Sequence, residues 1–210
     1  MEIEHPNAQS MECQINAASK CFPFVPNPHL QREAVRYLLR CVGENPDRSG
    51  LLDTPRRVVS ALEEMTSGRL IDPIKELSTV FEESCDEMVL VRGIRFVSLC
   101  EHHLLPFVGE MVVGYIPRGK VVGLSKIPRM VEAWAQRLSM QERLTNQVCE
   151  TMQRALDPVG VGVVAVGSHA CMGCRGVKQY NADMVTSSLL GLMREPAVRA
   201  EFFSLARVGM

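Results

Sequence analysis

Cys100-Glu101-His102-His103 and His169-Ala170-Cys171, with Arg175 shortly after, gather the residue types that bind metals and move protons. Thiolate and imidazole are ligands zinc prefers, and two cysteines with one histidine leave its fourth tetrahedral position open to water. Histidines beside such a set supply proton transfer near neutral pH. The pattern predicts a catalytic zinc site that hydrolyses its substrate. The Cys-x-x-His spacing of residues 100 and 103 is weak alone, since a buried cysteine beside a capping histidine looks the same. A second His/Cys cluster at the mouth of another predicted strand strengthens it. Cys174 keeps an alternative open: Cys100, His103, Cys171 and Cys174 together would make a closed, structural site. His102 and His169 would then have no chemical purpose.

Other constellations carry less on their own. Gly114 to Lys120 has the glycine and lysine spacing of a phosphate-binding loop, but Val121 stands where a Ser/Thr is needed and no helix clearly follows. A hairpin turn is the expectation there. Ser125-Lys126-Ile127-Pro128-Arg129 puts a hydroxyl and two cations at a strand-to-helix junction, which favours anions but also suits a solvated first turn. Gln141-Glu142 opens a further helix, where ordinary capping is the default.

The elements that must position these residues are legible in outline. The 210 residues contain 46% apolar and 22% charged residues, ordinary for a folded domain, with net charge −1. No polybasic footprint for nucleic acid or membrane appears. No apolar run reaches the ~18–20 residues of a bilayer span. The first residues resemble no signal peptide, so the eight cysteines are expected as free or metal-bound thiols in a reducing cytoplasm. Residues 1–28, rich in proline, read as a poorly ordered arm ahead of a domain at 29–210, with helices in 29–85 and a core in 86–210. Helices are expected from His29, from Thr54-Pro55, at Lys126–Gln136, at Gln141–Leu156, at Ser187–Met193 and at Pro196–Ala206. Strands are expected at Met88–Leu99, Glu110–Ile116, Val161–Val166 and Gly173–Ala182, with a short return at Val121–Gly123. The order ββ-αα-ββ indicates an α+β fold, an antiparallel sheet covered by helices on one face.

Phe96 to Phe107 (FVSLCEHHLLPF) resembles the signature of the GTP cyclohydrolase I family. So do Gly123-Leu124-Ser125-Lys126, Gln141-Glu142-Arg143-Leu144-Thr145, and the His-x-Cys-Met-x-x-Arg-Gly stretch from His169 to Gly176. Thr54-Pro55-x-Arg57-Val58 is similar to the family's upstream helix, and the likeness runs collinearly from about residue 29 to about 207. The resemblance implies a tunnelling fold with an N-terminal helical region, assembled as a homodecamer with active sites between subunits. It implies zinc held by Cys100, His103 and Cys171, with Cys174 a packing thiol. His102 and His169 are implied as catalytic. Ser125, Lys126, Arg129 and Arg175 would face ribose and triphosphate, joined by Arg57 from an adjoining subunit, and Gln141 and Glu142 would hold the guanine edge. The implied reaction opens GTP at C8, releases formate and yields 7,8-dihydroneopterin triphosphate, the first step toward tetrahydrofolate and pterins. One departure stands out: the usual acidic residue three positions before the second catalytic histidine is Val166 here.

Overall fold

The computed structural model describes residues 27–207, so the expected arm lies almost wholly outside the described residues. Described residues up to Leu62 belong to one compact unit and those from Glu63 to another. Helix α1 (Pro28–Cys41) starts where the Asn27 side-chain oxygen accepts from the backbone N–H groups of His29 (3.0 Å) and Leu30 (3.2 Å). Pro28 fills the first helical position, where a missing N–H costs nothing. Helix α2 (Thr54–Met65) starts at the Thr54-Pro55 pair. A short α3 (Pro73–Glu76) follows, with Asp72 as its cap.

The larger unit is built on a five-stranded sheet. Strands β2 (Val89–Cys100), β3 (Pro106–Ile116), β6 (Gly160–His169) and β7 (Asp183–Gly191) pair antiparallel in that order. A two-residue strand, β5 (Leu138–Ser139), joins β2 in parallel, which makes the sheet mixed. Strands β1 (Val80–Glu82) and β4 (Lys120–Val122) form a separate ribbon. The return after Gly119 therefore pairs with β1. The Val122 N–H donates to the Tyr115 hydroxyl (3.1 Å) and fastens that ribbon to β3.

Helices α4 (Lys126–Ala135) and α5 (Gln141–Leu156) lie between β3 and β6 in the chain, giving the ββ-αα-ββ order. They cover one sheet face. Met130, Val131 and Trp134 on α4, and Leu144, Val148, Met152 and Leu156 on α5, bury against Phe107, Met111 and Ala165. Each such side chain contributes about 1.5–3 kcal/mol of apolar burial. Helix α7 (Pro196–Ala206) adds cover at one end of the other face, where Phe202 packs with Val112, Ile116 and Val164.

Two expectations are overturned at the C-terminal edge. Gly173–Ala182 is not a strand; after the single turn α6 (Ala170–Gly173) the chain loops to β7. The helix expected at Ser187–Met193 is instead the end of β7 followed by one 3-10 turn at Leu192–Arg194. An edge strand alternates weakly, and Ser187-Ser188-Leu189-Leu190 fits both periods. Gly191, at φ 58°, ends the strand; a Cβ there would collide with the Val159 carbonyl. Among the described residues no helix is long and apolar enough to cross a membrane.

Candidate metal centre and active site

The β2–β3 connection folds the Cys-x-x-His stretch back on itself. Both the His103 and Leu104 N–H groups donate to the Cys100 carbonyl (3.3 and 2.8 Å), and the Cys100 N–H donates to Leu105 (2.9 Å). Leu104 closes this turn at φ 55°, a left-handed conformation costing about 1–2 kcal/mol for a residue with a Cβ. The result sets the His103 Nδ1 3.8 Å from the Cys100 Sγ. From the other side, α6 begins directly at the end of β6 and carries Cys171. Register brings the two ends together, because Phe107 on β3 stands opposite His169 on β6.

Ligand atoms of Cys100, His103 and Cys171 lie within 4.8 Å of one another, a group able to hold a metal ion. Tetrahedral zinc with sulfur at ~2.3 Å and nitrogen at ~2.0 Å needs ligand atoms roughly 3.6 Å apart, close to what Cys100 and His103 show. The donor set fits that ion. Burial first, then the Cys100 sulfur beside it, raises the Cys171 thiol above its ordinary pKa, with Arg175 opposing. A thiol that burial and a neighbouring sulfur make costly to ionise becomes a thiolate more readily beside a bound cation. Cys174 is exposed and, among the described residues, does not belong to the group. Cys149, a further buried thiol, is pushed up to about 11 by burial and donates to the Ser188 carbonyl (3.5 Å).

The two further histidines differ in setting. His102 is exposed, its Nδ1 3.7 Å from the Cys100 Sγ and its Nε2 4.0 Å from a Glu101 carboxylate oxygen. Arg143 pairs with both oxygens of Glu101 and holds that carboxyl below the usual range. His169 is half-buried and stacks flat on Phe107, centroids 4.6 Å apart and planes 2° apart. Its Nε2 lies 2.9 Å from the Gln141 Oε1. Burial lowers its pKa, and the nearby Glu142 pushes the other way.

The remaining predicted residues divide by exposure. Ser125, Arg129, Glu142 and Arg175 are exposed, and Lys126 is partly so. Among the described residues Lys126, Arg129 and Arg175 take part in no ion pair, which leaves their charge for an anion. Arg57 lies on α2 in the N-terminal unit, exposed and 3.1 Å from Asp53. Gln141 stands apart: it is fully buried, with its amide wholly engaged inside the protein. Sequence reasoning missed the Phe107 stack and the Glu101–Arg143 pair. Both residues of the pair stand in the motif stretches, but only the pairing of β5 with the end of β2, just ahead of α5, brings them together.

Strand alternation places Val166 away from His169. Successive side chains on a strand point to opposite faces, so an offset of three puts Val166 and His169 on different sides of the sheet. Ala165 joins the helix-covered core while Val164 joins the cluster around Phe202, which fixes the assignment. Val166 sits opposite Glu110 and Val185, away from the histidine.

Fold and cluster together define an α+β protein with a Cys-His-Cys group able to hold a metal ion between two strand ends, and further histidines at residues 102 and 169. Residues 31–207 match the family described as GTP cyclohydrolase I. The GTP cyclohydrolase 1 of Leptospira biflexa serovar Patoc is 50% identical over 178 residues, covering 83% of this chain and 97% of that one. That of Synechococcus sp. (strain JA-3-3Ab) is 54% identical over 178 residues, covering 83% and 77%. That of Pelotomaculum thermopropionicum is 50% identical over 181 residues, covering 85% and 96%. The chain belongs to the GTP cyclohydrolase I family.

Proposed function

We propose that this protein hydrolyses GTP at guanine C8, opens the imidazole ring, releases formate and rearranges the remainder to 7,8-dihydroneopterin triphosphate. The observation that carries this reading is the convergence of Cys100, His103 and Cys171 within 4.8 Å, with His102 against the Cys100 sulfur and His169 two residues before Cys171. Zinc held by those three ligands would act as a Lewis acid that brings the pKa of a water toward neutrality.

The chain's own residues do the rest. His169, as the acid, takes up a proton and passes it to N7, which must receive it before C8 becomes a usable electrophile. His102, more exposed and beside Glu101, passes protons to and from the opening ring. Glu142 accepts from guanine N1–H and the exocyclic amine; adenine presents the wrong donor pattern there and is rejected. Ser125, Lys126, Arg129 and Arg175 meet the ribose and triphosphate, and Arg57 joins them from a neighbouring subunit. Four cations approximately balance a triphosphate, so a chain of net charge −1 binds a tetra-anion through a local field. The working form is a homo-oligomer, a decamer with sites between subunits, in a reducing cytoplasm. The six described cysteines, all free thiols, support that compartment.

Incubation of purified protein with GTP tests the reading. Formate release and a fluorescent neopterin after oxidation and dephosphorylation are expected. A zinc-loaded protein that leaves GTP intact would overturn it.

A further inference from the structure

We infer that Gln141 is a positioning residue: it locks His169 as the tautomer protonated on Nε2, leaving Nδ1 as the nitrogen that exchanges a proton with the substrate. This rests on the proposed reaction for its chemical meaning and replaces a direct contact between Gln141 and the guanine edge.

The orientation of the Gln141 amide follows from its partners. Its nitrogen lies 2.8 Å from the Met184 carbonyl, 3.2 Å from the Ala165 carbonyl and 3.2 Å from the Thr186 hydroxyl. Two of these are carbonyl oxygens, which only accept. Flipping the amide would point oxygen at oxygen twice in a fully buried site, so the assignment is forced. The hydroxyl protons agree. Thr145 donates to the Gln141 carbonyl (2.8 Å), so the 2.7 Å Thr145–Thr186 contact uses the Thr186 proton. Thr186 therefore has only a lone pair to offer the Gln141 nitrogen. Every donor in the cluster is spent, and the Oε1 is left facing His169.

An amide oxygen accepts and never donates, so at 2.9 Å the His169 Nε2 must carry a hydrogen. A neutral imidazole has one N–H, so its Nδ1 is bare. The Phe107 stack fixes the ring plane and the Gln141 bond fixes its rotation within that plane. A third observation agrees. A Cβ on Gly167 would lie 2.5 Å from the Gln141 Oε1, so β6 is bare at the point where the amide passes. Side chains that orient a working histidine act through it without touching substrate.

Two measurements on the full-length protein test this. In 15N-histidine-labelled, zinc-loaded protein at mildly alkaline pH, solid-state NMR should show the His169 ring protonated on Nε2 and bare on Nδ1, the resonance being assigned by its loss in His169→Asn. A ring protonated on Nδ1 alone overturns the inference. In kinetics, Gln141→Met should lower kcat roughly 10–100-fold while KM for GTP stays within about 2-fold. A raised KM with kcat preserved would mean a base contact and overturn it, as would no change in either. Should Gln141→Met fail to fold, Thr186→Val removes one anchor and should lower kcat in the same direction by less; an unchanged kcat there counts against the lock. Wild-type protein that releases no formate from GTP defeats the hydrolase reading, and the spectrum still decides the tautomer.

Discussion

The two faces of the central sheet each carry a pair of glycines opposed across β3 and β6, and the pairs serve different ends. Gly114 faces Gly162 on one side, and Gly109 faces Gly167 on the other. At the first pair a Cβ would press the Phe202 ring, at 3.0 Å from Gly114 and 2.9 Å from Gly162. That space holds α7 on the sheet. At the second pair, Gly109 lets the backbones of β3 and β6 approach, and Gly167 gives passage to Gln141 beside His169. One void is filled by an aromatic ring of the core and the other by an amide bonded to a histidine. The same residue type in the same register is read differently only because alternation assigns the pairs to opposite faces.

Substitutions on the two faces sharpen that contrast. Cys171→Ser should have the largest effect, stripping zinc and abolishing turnover; atomic absorption and formate assays check it, and full activity would exclude the ligand set. Gly167→Ala should displace the Gln141 oxygen and lower kcat roughly 10-fold or more in the protein that stays folded. Gly162→Ala should do the reverse: overpacking against Phe202 costs about 1–3 kcal/mol, seen as a lower melting temperature, while kcat in the folded protein is kept. If these two variants gave the same signature, the division of the faces would fail. Val166→Asp should change kcat by no more than about 3-fold, because that side chain leaves the sheet away from His169. A large gain or loss would mean that the two residues communicate through the sheet.

Much of this is legible in the sequence. Leu144, Val148, Met152 and Leu156 at four-residue steps mark α5, and proline within the first two positions marks α2 and α7. The metal group was legible as residue types, but not as a choice between three ligands and four. That choice depends on the left-handed turn at Leu104 and on how α6 leaves β6, neither of which a spacing reports. Edge elements were the least visible: β7 alternates too weakly, and β1 and β5 are too short to show a period. Gly191 was the available signal that the run from Ser187 could not be one helix. The buried role of Gln141 could not be seen, because Met184 and Thr186 come from a strand placed wrongly along the chain.

X-ray absorption at the zinc edge of purified protein tests the central claim most directly. Two sulfur ligands with two lighter ones, one nitrogen and one oxygen, are the predicted shell, unchanged in Cys174→Ala. Three sulfurs, falling to two when Cys174 is removed, would contradict the account and make the site a structural one.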